Sequence, residues 1–127
     1  MKAIYINACE SYLPATRMTV EQAVAQDKYD EKDATADGYS AASVESELWP
    51  TDMAMRASDK TLKASGISAS DLSLITYSAI HRHGHKHLWQ PAAFIQDQLG
   101  AQQAMAFSLN HGCNALMLSA GMAMEHC

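Results

Sequence analysis

Two strand-like runs, each preceded by a helix that opens on proline and stops at glycine, constrain this chain more than any other feature. Pro50-Thr51-Asp52 carries the usual start signals of a helix, which runs to about Ser65, where Gly66 suits the C′ position. After a turn at Ser70-Asp71, the run Leu72 to Ser78 reads as a buried strand. Pro91 starts a second helix that ends at Leu99, before Gly100, and Ala104 to Leu109 is the next strand. Residues 3–9 read as an earlier strand, ended by Ser11-Tyr12-Leu13-Pro14, and an apolar helix follows Cys113. The order β-α-β-α-β-α predicts an α/β fold, a parallel sheet flanked by helices. Ligands of such sheets bind outside the carboxyl ends of the strands.

The inward positions of the first long helix, Ala54, Ala57, Thr61 and Ala64, are small and suit close packing on a sheet. Thr19 and Gln22 form a capping-box pattern that starts a short helix near 20–28. Residues 30–48 are rich in Asp, Glu, Ala and Ser without periodicity, which predicts an exposed excursion. With 127 residues the chain is at most one domain. Its net charge of −5 argues against nucleic acid as a partner. No apolar run reaches the roughly 20 residues that a membrane span needs, and the first residues lack a signal-peptide pattern, so a cytoplasmic protein is expected. Three cysteines without a CxxC knuckle predict reduced thiols. Met117, Leu118, Met122 and Met124 help make the last helix apolar on every side. Such a helix needs cover all round, so a partner or further chain is expected to supply it.

Cys113 stands where a strand meets a Gly turn and an apolar helix begins. A thiolate is a strong nucleophile, and a helix N-terminus favours it through free N–H groups and the positive dipole end. The competing reading is a small, inert apolar side chain. His111 is too close in sequence to face Cys113 easily and is read, with Asn110 and Gly112, as shaping the turn.

Several segments in order resemble the β-ketoacyl synthase III-type condensing enzymes of the thiolase fold. They are Lys63 to Ile67 followed by Ser70-Asp71-Leu72, the helix from Pro91 to Gly100 with Phe94, Ile95, Gln96 and Leu99, and the turn from Phe107 to Ala115. The strand leading to Ser-Tyr-Leu-Pro also fits the opening of that family. The resemblance implies the N-terminal part of the first thiolase half, incomplete as a catalytic unit. It implies a Cys113 thiolate that takes an acyl group from a thioester, with its own backbone N–H helping to hold the oxyanion. Decarboxylative Claisen condensation, or transfer to a hydroxyl or amine, would follow, as in fatty acid or polyketide biosynthesis. The assisting His and Asn would come from a C-terminal half in the same or another chain, without which these residues should not turn over. No cofactor is expected. The family's coenzyme A-recognition passage would fall at 30–48, where an acidic run from Asp30 to Gly38 contains no Arg. Like charge repels phosphates, which favours a carrier-protein-bound donor over coenzyme A. Asn114-Ala115 replaces the usual small residue and Gly, pointing to a divergent branch.

His81, His83, His85 and His87 alternate with Arg82, Gly84 and Lys86. On a strand they would line one side and could chelate zinc or nickel. The interleaved cations, the Gly and the position after a strand favour a loop without bound metal. The resemblance implies that this loop borders the acyl pocket and that a homodimer forms through residues 80–110. A non-catalytic module that docks a second half remains the alternative function, and a His-loop metal module the less favoured one.

Overall fold

Proline and glycine punctuate the helices where these rules place them. The computed structural model describes residues 3–81 and 89–126. Its elements are β1 (Arg17–Thr19), α1 (Val20–Ala25), α2 (Glu31–Asp37), β2 (Ala41–Ser43), α3 (Pro50–Ser65), β3 (Leu74–Ser78), α4 (Pro91–Leu99), β4 (Met105–Leu109) and α5 (Ala115–His126). A 3₁₀ turn at Ala69–Asp71 leads into β3. The chain divides into two units, residues 13–47 and residues 1–12 with 48–127.

In the larger unit, β3 and β4 form a parallel pair in register from Leu74↔Met105 to Ser78↔Leu109. Proline at the first position starts both α3 and α4, and Gly66 and Gly100 end them at φ +69° and +72°. Only glycine takes that left-handed conformation without a Cβ penalty. Asp52 accepts the Trp49 N–H at 2.8 Å, satisfying one donor at the start of α3. Gln96 explains why an amide belongs in the last turn of α4: its Nε2 donates to the Ala101 and Ala104 carbonyls at 3.3 and 2.7 Å. The turn between α4 and β4 is thereby held by its own helix. Ser108 Oγ accepts the Ala92 N–H, tying the start of α4 back to β4. Ala92, Ile95, Ala101 and Ala104 are buried around this contact.

Two expectations need correction. Residues 3–9 form no strand among the described residues. Their apolar run is strand-like, but a strand exists through its ladder. Here the segment is held by side chains instead: Asn7 Nδ2 donates to the Ser65 carbonyl, and Lys60 Nζ to that of Ser11. Arg56 donates to the Tyr12 hydroxyl and lies 5.1 Å from its ring centre. Ala64 is exposed rather than inward. The last helix is covered along one line only, Ala115, Ser119 and Ala123, which recur every four residues. Leu116 and Met117, on its other sides, are 70% and 72% exposed.

Thr51, the second residue of α3, has a wholly buried hydroxyl with no hydrogen-bond partner among the described residues. An unpaired buried hydroxyl costs about 1–3 kcal/mol, and valine keeps its shape. Thr51→Val is therefore expected to raise the urea midpoint, by about 1 kcal/mol of stability. A lower midpoint would show that the hydroxyl is satisfied in solution.

The smaller unit departs most from the sequence reading, because residues 30–48 are built and not merely excursive. Asp30 caps α2 by accepting the Lys32 and Asp33 N–H groups, and Gly38 ends it at φ +69°. β2 then pairs antiparallel with β1, from Arg17↔Ser43 to Thr19↔Ala41. The segment is mostly exposed. Thr19 and Gln22 make the reciprocal bonds of a capping box at 3.2 and 2.9 Å, and α1 runs to Ala25, shorter than predicted.

The Tyr29 hydroxyl donates to the Asp37 carboxylate, so ionising the phenol would set two negative charges together. That hydrogen bond is the main cause pushing its pKa up to about 12 from 10.0. A pKa raised in the folded state contributes stability present below the unfolded value. The contribution is full below pH 10 and is lost as pH rises from 10 through about 12. Ultraviolet titration should show phenolate forming late at Tyr29, and Asp37→Ala should return that titration to the ordinary range.

Candidate functional site

The parallel pair and α5 converge on Cys113. β4 ends at Leu109, and the chain turns through Asn110, His111, Gly112 and Cys113 before α5 starts at Ala115. Gly112 makes the turn at φ +54°, where no neighbouring atom would obstruct a Cβ. Conformation, not space, is what requires glycine there. The turn is closed by the Ala115 N–H on the Gly112 carbonyl at 3.2 Å, and α5 continues from the Leu118 N–H on Asn114 at 3.0 Å. Cys113 is thus two residues ahead of the helix rather than its first residue. The remaining N–H groups of the first turn of α5 point back toward that approach.

Cys113 is an exposed free thiol, as is Cys9. It differs from Cys9 in lying on the wall of a cavity of about 160 Å³, which Ser78, Ile80, Gly112, Ala115 and Leu116 also line. Ser78 is the last residue of β3. The cavity therefore stands at the carboxyl end of the parallel pair, where α/β folds place their ligands. At about 30 Å³ for each water in the liquid, it has room for a short chain of a few heavy atoms. Its walls are apolar apart from Ser78 and the thiol.

His111 is exposed beside Cys113, and among the described residues no hydrogen bond joins them. It therefore forms no Cys-His pair in this structure and belongs to the turn, with Asn110 and Gly112. His81 is exposed just past β3. His83, His85 and His87 lie outside the described residues. Ser78 and Ile80, which precede that run, line the cavity. Trp89, just before α4, packs on Phe94 with ring centres 5.0 Å apart.

Sequence reasoning missed the role of Ser78. Its hydroxyl is 2.7 Å from that of Ser119 on α5, 41 residues later, and Ser119 is 4% exposed. Nothing local in the sequence pairs the two. The bond pins the end of β3 to the helix that follows Cys113. A larger cavity, about 550 Å³, lies within the smaller unit between Met18, Val20, Ala23, Tyr29, Tyr39 and Val44. No nucleophilic thiol lines it. Among the described residues no helix is long and apolar enough to cross a membrane.

No family model matches the chain. The chain is 34% identical over 67 residues to the β-ketoacyl-[acyl-carrier-protein] synthase III of Clostridium perfringens strain ATCC 13124, a match covering 53% of this chain and 20% of the relative. A β-ketoacyl-[acyl-carrier-protein] synthase III of Desulfotalea psychrophila is 34% identical over 65 residues, 19% of its length. Among solved structures, the acyltransferase ChlB3 superposes with a TM-score of 0.83 at 29% identity, over 94% of this chain and 36% of that one. The 3-oxoacyl-[acyl-carrier-protein] synthase III of Aquifex aeolicus superposes with a TM-score of 0.77 at 25% identity, over 91% of this chain and 37% of that one. The matches thus span about a fifth of the length of the curated relatives and just over a third of the solved structures. In sequence and in fold the chain is β-ketoacyl synthase III-like, corresponding to part of a thiolase-fold condensing enzyme.

Proposed function

We propose that this chain supplies the nucleophile of an acyl-transferring condensing site, with Cys113 carrying the acyl group. The observation that carries the reading is an exposed thiol on a cavity wall, at the carboxyl end of a parallel sheet, in a chain similar to condensing enzymes. The Cys113 thiolate attacks the carbonyl of an acyl thioester. A new carbon–sulfur bond forms, the carrier's carbon–sulfur bond breaks, and the carrier thiol leaves with the proton that Cys113 gave up. The backbone N–H of Cys113 holds the oxyanion between these events. The acyl group then passes to the carbanion formed when a malonyl-type thioester loses carbon dioxide, or to a hydroxyl or amine. Either step frees the Cys113 sulfur.

The groups that assist the second step are assigned to the remainder of the thiolase fold, in the same or another chain. The exposed apolar sides of α5, at Leu116, Met117 and Met124, suit cover from that remainder. Residues 80–110 are the proposed contact between two copies. A carrier-protein-bound donor fits better than coenzyme A. The smaller unit holds eight acidic residues against Arg17, Lys28 and Lys32, so the whole net charge of −5 resides there. That unit contains the passage where coenzyme A recognition would fall, and its charge repels phosphates.

The test is mass spectrometry of the protein, assembled with the rest of its fold, after exposure to an acyl thioester. Addition of the acyl mass, mapped to the peptide containing Cys113, is the expected result, and iodoacetamide should label Cys113 faster than Cys9. Acyl mass on neither thiol, with equal alkylation of both, would overturn the reading.

A further inference from the structure

The two hydroxyls of the Ser78–Ser119 pair carry two protons, and one bond joins them. Among the described residues neither hydroxyl has a second hydrogen-bond partner, and Ser119 makes no bond back to its own helix. If Ser78 were the donor, the proton of Ser119 would be left unpaired at a position only 4% exposed. Burying an unpaired donor is costly, whereas a donor facing an open cavity can meet water or ligand. The favoured arrangement has Ser119 donating to Ser78. The proton left over is then that of Ser78, which is half-buried and lines the Cys113 cavity.

Among the described residues this gives the cavity one side-chain hydroxyl donor, in walls otherwise made of Ala79, Ile80, Ala115, Leu116 and the Gly112 turn, beside the thiol. An all-alkyl acyl group would fill the space and leave that donor dry and unpaired. An acyl group with an oxygen at the right depth would accept from it. We propose that Ser78 is a specificity-determining residue, selecting short acyl groups that bear a hydroxyl or carbonyl oxygen beyond the thioester carbonyl. Ser119 is its positioning residue, holding the Ser78 oxygen as an acceptor so that its proton turns outward. The inference rests on Cys113 being the acyl-carrying nucleophile.

Discrimination is largest where a site donor would otherwise be buried without a partner. The probes are the N-acetylcysteamine thioesters of 3-hydroxybutanoate and 3-methylbutanoate, which differ by a hydroxyl in place of a methyl. In the protein assembled with the rest of its fold, Cys113 should acylate with the hydroxy compound about tenfold faster. Ser78→Ala should bring the ratio close to one, slowing the hydroxy compound and speeding the methyl one, which no longer buries an unpaired donor, with an unchanged urea midpoint showing that the variant is folded. Ser119→Ala should weaken the ratio less, because Ser78 keeps its proton. Equal rates in the unaltered protein, a preference for the methyl compound, or a ratio unchanged in Ser78→Ala would overturn the role of Ser78 alone. The unaltered protein gives that answer whether or not a variant folds. Absence of acyl mass on Cys113 with both thioesters would instead overturn the nucleophile and this proposal together.

Discussion

Cys113→Ala is expected to abolish acyl incorporation and to lower turnover of the assembled protein by at least about 10³-fold, since in the proposed mechanism Cys113 carries the acyl group. Cys113→Ser should be nearly as inactive. A serine hydroxyl needs an adjacent base to become a nucleophile, and His111 makes no hydrogen bond to this position. The control lies in exposure. Cys113 is solvent-accessible and its sulfur is unbonded, so neither change should move stability by more than about 0.5 kcal/mol. Loss of activity with an unchanged urea midpoint is therefore the expected pair of results. Full activity in Cys113→Ala would remove the proposed mechanism, while loss of activity accompanied by unfolding would assign the residue to structure. Cys9→Ala serves as the matched comparison: it is also an exposed free thiol, but it is not among the residues lining the Cys113 cavity, and it should change neither quantity.

What could be read from the sequence follows the range of the forces involved. Pro50 with Gly66, Pro91 with Gly100, and Thr19 with Gln22 act over one helix turn, and each appears in the structure where it was read. The runs ending in Ser78 and Leu109 were legible from their apolar and β-branched content, although in the structure β3 is only half-buried and Met105 of β4 is exposed. α2 had its signals as well, Asp30 before it and Gly38 after it, but no apolar stripe lies between them. Caps without a stripe were taken for an exposed excursion. Residues 3–9 failed in the opposite way, since their apolar run is strand-like but a ladder depends on a neighbour distant in sequence. Ser78 and Ser119 show the same limit at the candidate site. Cys113 was readable from its own turn and from the motifs around it, whereas the hydroxyl beside it acquires meaning only once β3 and α5 are packed.

Ile95→Ala is expected to be the most destabilising single truncation in the larger unit, at about 2–5 kcal/mol. Ile95 is 4% exposed, and the other buried apolar side chains described there are Pro91, Ala92, Ala101, Ala104 and Ala115. A core built from alanines has short side chains fixed to backbone, so it has little with which to refill the space that a sec-butyl group leaves. The lost transfer free energy and the cavity then add. Urea titration should show a lower midpoint with an unchanged slope, the sign of reduced stability without a change in the surface exposed on unfolding. Leu116→Ala removes a comparable side chain from a position 70% exposed, and on this chain it should cost no more than about 0.5 kcal/mol. Equal losses from the two would mean that α5 is covered in solution by something beyond the line Ala115, Ser119 and Ala123. An unequal pair would place the stabilising core under α4, where Gln96 and Ser108 already fasten the helix to its strand.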